Sequence, residues 1–196
     1  MSLIARMRRR LGAQGGYTLV EMLTVLLILG VVMGGLTTVL ASATNADAHM
    51  NNRFQAQQAT RLALDKLRRE VHCSSSATPT GTTTSSITLT LPTYCKTYTG
   101  SASVTWCTRS VSTNRYALYR VNSATCTGGV KWADFLTPTS TAAVCSGALC
   151  VFNYTAQSTS SLAKLHVDFP VNPQPTHTVD TYELVDDLVL RNSSRS

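Results

Sequence analysis

The chain has 196 residues, 43% of them hydrophobic and 14% charged, which excludes an intrinsically disordered polar chain and leaves room for one domain of ordinary size beside a membrane segment. Its formal charge of +7 is uneven: Arg6, Arg8, Arg9 and Arg10 precede the first acid, Glu21, and beyond them 13 basic and 10 acidic side chains leave a balance of +3. The high pI of 9.3 is therefore a topology signal more than a sign of a nucleic-acid partner.

Residues 1–16 hold the arginine cluster and end in Gly-Ala-Gln-Gly-Gly, too polar and glycine-rich for a membrane span. Under the positive-inside rule they belong on the cytoplasmic side. Tyr17 to Leu40 follows as an apolar run, about 36 Å long as a helix against a hydrocarbon core of about 30 Å. Glu21 is the one carboxylate in it, and a charge there needs a partner. Cleavage between Gly16 and Tyr17 would supply one, the new α-amino group of Tyr17, on the same chain or on a neighbour.

The stretch Gly16-Tyr17-Thr18-Leu19-Val20-Glu21-Met22-Leu23, after a basic leader and before an apolar helix, resembles the type IV prepilin and type II secretion pseudopilin signature. That resemblance implies a leader removed by a prepilin peptidase after Gly16, N-methylation of Tyr17, and Glu21 as an assembly residue. It also implies other pilins or pseudopilins as partners, insertion in the inner (cytoplasmic) membrane, and an α+β fold. In that pilin-like fold a long N-terminal helix, transmembrane then amphipathic, packs on an antiparallel sheet. A rival is an ordinary secretory signal, because Ala41-Ser42-Ala43 has the small residues of a signal-peptidase site. Such a signal has no use for Glu21.

Gly30, Gly34 and Gly35 interrupt the apolar run and read as a packing face or a soft point. Between residues 41 and 75 helical periodicity resumes, with Phe54, Ala59, Ala63, Leu67 and Val71 as an apolar stripe broadened by Leu64. The opposite face carries Arg53, Arg61, Asp65, Lys66, Arg68, Arg69 and Glu70, and the spacing predicts ion pairs Arg61/Asp65 and Lys66/Glu70. Residues 61–70, together with the late Leu188-Val189-Leu190-Arg191-Asn192, resemble the larger minor subunits of the J or W type.

From residue 76 onward a Ser/Thr-rich, disulfide-bonded β domain is expected. Ser74 to Ser86 reads as a loop. Alternation then predicts a strand at Ser86–Leu91, a hairpin of Ser103–Ser110 with Arg115–Asn122, and another of Ala148–Ala156 with Leu162–Phe169. Pro170, Pro173 and Pro175 mark a loop before a last strand, Leu184–Arg191. Six cysteines, Cys73, Cys95, Cys107, Cys126, Cys145 and Cys150, all lie in the exported part, as expected of disulfides in an oxidising compartment. Six cysteines allow 15 complete pairings; spacing favours Cys145 with Cys150 first, and a bridge across neighbouring strands favours Cys95 with Cys107 second.

No catalytic constellation and no metal site emerge, so a structural subunit is expected rather than an enzyme, without a cofactor. His166-Val167-Asp168 would put two polar side chains on one strand face, the common pattern of a half-exposed strand. Asp180, Glu183, Asp186 and Asp187 are an acidic cluster that reads as a solvated loop, with calcium as the rival. Arg109, Arg115, Arg120 and Lys131, interleaved with Trp106, Tyr116, Tyr119 and Trp132, offer the alternative of a minor pilin that captures DNA or a surface. Aromatic residues in strands are more often core. The remaining alternative is a secreted or anchored protein cut after Ala43.

Overall fold

The computed structural model describes residues 17–98, 100–174 and 181–193. Helix α1, Leu19–Cys73, is 55 residues long. Thr18 caps it, its hydroxyl accepting the Glu21 N–H at 3.3 Å. Thr18 and Glu21 thus occupy the two positions of a capping box, and Glu21 also lies where the helix dipole favours an anion. In the described part of residues 1–48 every side chain is exposed. The three glycines there meet nothing within 4 Å of where a Cβ would stand.

Within residues 49–193, α1 is amphipathic and its last turns lie on a sheet. The face it buries is Ala56, Thr60, Ala63, Leu64, Leu67, Glu70 and Val71. This corrects the expected stripe at two places. Phe54 lies thirteen residues before Leu67, which at about 100° per residue turns it away from the sheet; it is 64% exposed. Glu70, expected on the solvated face, is instead fully buried, because it stands at the helical repeat of Ala56, Ala63 and Leu67.

Among the described residues nine strands form one antiparallel sheet: β1 Ser76–Thr78, β2 Thr83–Thr84, β3 Ser86–Thr90, β4 Ser103–Ser112, β5 Arg115–Val121, β6 Val130–Leu136, β9 Phe152–Thr155, β10 Lys164–Val171 and β11 Tyr182–Val189. Short β7 Val144–Cys145 and β8 Ala148–Leu149 pair separately. The path runs β1-β3-β4-β5-β6-β10-β9-β2, and β11 pairs with the whole length of β10 on its other side. Trp106, Ile87, Leu89, Leu118, Leu136, Leu165, Phe169 and Leu188 are fully buried between sheet and helix, with Leu67 from α1. The α+β arrangement of one long helix on a large antiparallel sheet is the one expected.

Several boundaries differ from expectation. The Ser74–Ser86 loop contains β1 and β2, which pair with β3 and β9, the β-branched threonines suiting the extended conformation. Residues 148–156 are not one strand: Ser146 and Gly147, both at positive φ, turn β7 into β8, and the chain re-enters the main sheet only at Phe152. Strand β6 has no clean alternation, since its pairing with β5 slips at two points. Pro170 lies inside β10 rather than in a loop; its carbonyl accepts the Thr137 N–H at 3.0 Å. Gly129, at the entrance to β6, is held against β5, where a Cβ would come within 2.5 Å of the Arg120 carbonyl oxygen.

Three disulfides join Cys73 to Cys95, Cys107 to Cys126 and Cys145 to Cys150, with Cα separations of 5.9, 6.1 and 5.8 Å. The pairing of Cys95 with Cys107 is therefore corrected: Cys95 follows β3 and closes onto the end of α1, while Cys107 on β4 reaches the β5–β6 connection. At the same helix end the Asn192 side chain donates to the Cys73 carbonyl at 2.9 Å, satisfying one of the carbonyls a helix terminus leaves open. Cys145 and Cys150 close the β7–β8 hairpin.

Candidate functional site

The N-terminal half of α1 is the largest apolar surface in the described chain. Between Glu21 and Asp47 there is no charged residue. Leu19, Val20, Leu23, Leu26, Leu27, Ile28, Val32, Leu36 and Leu40 are all more than half exposed. Its most apolar window has a mean hydropathy of 2.4 and no burial, so by length and composition the helix can cross a membrane. Exposure of this kind marks a surface made for lipid or for other apolar helices. Tyr17 is exposed ahead of the cap, and the Glu21 carboxylate forms no ion pair among the described residues. The expected cleavage position Gly16 and the leader lie outside the described residues.

In the second half of α1, polar side chains form internal connections. Glu70 accepts from Trp106 Nε1 at 2.7 Å and from Arg120 Nε at 2.8 Å, and lies 3.4 Å from Lys66 Nζ. Arg120 also donates to Asn122 Oδ1. With Arg120 only 9% exposed and Glu70 at 0%, this is a buried ion pair that joins the helix to β5, beside the Trp106 contact to β4. Along the other side of the helix Arg61 donates to the Tyr182 hydroxyl at 3.0 Å, and Arg68 bonds Asp186 at 2.7 Å. His72 Nδ1 lies 2.9 Å from the Val189 carbonyl. The expected Arg61/Asp65 pair gives way to Arg68 with Asp65 at 3.0 Å, because Arg61 is drawn to β11.

The four cations considered for DNA do not form one basic face. Arg115 makes a two-pronged contact with Asp134 at 3.0 and 2.9 Å, and Lys131 shares the same carboxylate at 2.9 Å. Burial pushes the Asp134 carboxyl up, but hydrogen bonds from Arg115, Lys131 and the Phe135 N–H outweigh it and hold the group below the usual carboxylate range. Arg120 is buried on Glu70. Arg109 stacks on Tyr119, its guanidinium carbon 4.0 Å from the ring centroid, and donates to the Gly128 carbonyl. Trp106 is core. Each cation thus has an internal partner that competes with phosphate.

The acidic cluster also separates. Asp186 faces Arg68 of α1, whereas Asp187, one residue on, points to the opposite sheet face toward Lys164 at 3.0 Å and His166 at 2.8 Å. One ion cannot bridge the two, and Asp180 lies outside the described residues. Among the described residues no group of three or more His, Cys, Asp or Glu side chains is placed to hold a metal. The residues that sequence reasoning missed are Glu70, Arg120 and Asp134 as neutralising centres. Only the helical phase of Glu70 could have signalled one of them.

Neither the comparison with curated proteins nor the comparison with solved structures gave a match. A family model described as the prokaryotic N-terminal methylation motif matches residues 11–37, which covers Tyr17, Glu21 and most of the apolar run. This match, at the start of a helix whose first half is apolar and exposed, supports the type IV prepilin and pseudopilin family.

Proposed function

We propose that the chain is a minor pilin or pseudopilin subunit of a type IV pilus or type II secretion filament, a structural protein rather than an enzyme. The observation that carries this reading is the methylation motif running directly into an apolar helix surface exposed from Leu19 to Leu40. Residues 1–16 serve as the leader, cut by a prepilin peptidase, and Tyr17 becomes the methylated N-terminus. Residues 17–40 hold the subunit in the cytoplasmic membrane and later pack against other pilins. Residues 41–73 continue the helix, and the remaining domain faces away from the cytoplasm.

Glu21 neutralises the Tyr17 α-amino group of a neighbouring subunit in the low-dielectric core of the filament, so a subunit in the wrong register leaves two charges unpaired. The internal pairing of Arg115, Arg120 and Lys131 supports a structural head over one that captures DNA.

The test is mass spectrometry of the N-terminus after expression of the full chain with and without a prepilin peptidase. A mature chain starting at methylated Tyr17 only when the peptidase is present supports the reading. A start after Ala43, or an uncut chain in both cases, overturns it.

A further inference from the structure

On the sheet face away from α1, four strands place a polar row in register: Thr83 of β2 opposite Asn153 of β9, Asn153 opposite His166 of β10, and His166 opposite Asp187 of β11. Directly opposed residues in antiparallel strands point to the same side, so these side chains share one surface. Asp168 follows His166 by two residues along β10 and so faces the same way. Asp187 is already paired with Lys164 and lies within hydrogen-bond distance of His166. Asp168 is different. It is only 6% exposed, its Oδ1 is buried without a hydrogen-bond partner, and its carboxylate forms no ion pair among the described residues. The side chain lines a cleft of about 230 Å³ together with Thr83, Thr141, Asn153, His166 and the disulfide residue Cys150.

A buried carboxylate without a cation is costly, and one kept beside an open cleft can be compensated by what enters that cleft. The walls supply acceptors: the Thr83 and Thr141 hydroxyls and the Asn153 amide oxygen. One full negative charge with several neutral acceptors suits a singly charged cation with several N–H donors better than a divalent metal, which would need more carboxylates or imidazoles than stand here. The volume is below the range of about 300–1,000 Å³ typical of sites for drug-sized molecules, and fits the end of a side chain or a small amine.

We propose that this cleft is a binding site for an ammonium or guanidinium group, with Asp168 as its charge partner and Thr83, Thr141 and Asn153 as its hydrogen-bond acceptors. The two sources of that chemistry are a Lys or Arg side chain of another polypeptide and a free small amine.

The experiment uses the isotope-labelled full-length protein in detergent micelles, titrated with n-butylammonium chloride and methylguanidinium chloride at constant ionic strength. Saturable shifts of the Asn153, Val167 and Asp168 amides are expected, weakened roughly tenfold or more in Asp168→Asn, which keeps the shape and removes the charge. Thr83→Val, at an exposed position on a two-residue strand, leaves the carboxylate and removes one acceptor, so binding should weaken several-fold with the fold unchanged. Tighter binding of N-acetyl-lysine methylamide than of n-butylammonium assigns the occupant to a polypeptide side chain, and equal binding assigns it to a free amine. The proposal is overturned by the absence of saturable shifts in the wild type. Equal binding by Asp168→Asn, equal response to neutral n-butanol, or saturation by magnesium or calcium at lower concentration than by either organic cation would overturn it too.

Discussion

Leu26 and Leu67 belong to the same helix, yet Leu26 is 64% exposed and Leu67 is wholly buried. The first half of α1 is apolar on every side, so no rotation of it could present a polar face to water. In the second half, apolar residues recur every three to four positions, and Arg61, Arg68 and Glu70 between them reach sheet strands. The difference teaches that a helix's hydrogen bonds say little about its use. What decides is whether its apolar surface is a stripe that the same chain can cover, or a cylinder that only lipid or other helices can cover.

The sharpest way to break the covered half is at Glu70. Glu70→Ala leaves Arg120 buried without its carboxylate, and urea unfolding of the β domain should show a loss of about 3–5 kcal/mol. Replacing both by Leu should restore most of that loss, since removing both charges leaves none uncompensated. In the uncovered half, Leu26→Arg should cost about 2.5–3.5 kcal/mol of membrane insertion. It should move protein out of the carbonate-resistant membrane fraction while leaving urea unfolding of the β domain unchanged. A drop in β-domain stability would show that the two halves are not independent.

Replacing Cys107 and Cys126 together by Ser should destabilise the β domain by about 2–4 kcal/mol, because the unfolded chain regains the freedom of the closed loop. Membrane partition should not move.

A smaller effect is expected from pH at Asp134. Its carboxyl is held below its ordinary value in the folded state, so its contribution is complete above the unfolded-state pKa and is lost as pH falls through the depressed folded value. The stability advantage of the wild type over Asp134→Asn should therefore be constant near neutral pH and vanish in acid. An advantage that persists below the titration of both states would contradict the pairing with Arg115 and Lys131.

The smallest change is Phe54→Ser. Although it removes a large apolar side chain from the amphipathic half, that side chain is not covered, and stability should stay within about 0.5 kcal/mol. A larger loss would mean that something buries Phe54.

The sequence by itself determined the α+β class, the N-terminal motif, the apolar run and strands whose period of two is unbroken, such as Ser86–Thr90. These are local signals, written in consecutive residues. Where the chain bulges or turns tightly, as in β6 and at Ser146-Gly147, the period is lost and so was the reading. The helical phase of Glu70 turns it toward the core, but tertiary structure alone decided its partners, since Trp106 and Arg120 are 36 and 50 residues away and no nearby residue announces them. It also decided that Cys95 meets Cys73, that Asp134 absorbs two of the cations considered for DNA, and that Asp168 stands beside a cleft without a cation. Each of these depends on which strands become neighbours, and a charge or a thiol carries no mark of its distant partner until the sheet brings them within bonding distance.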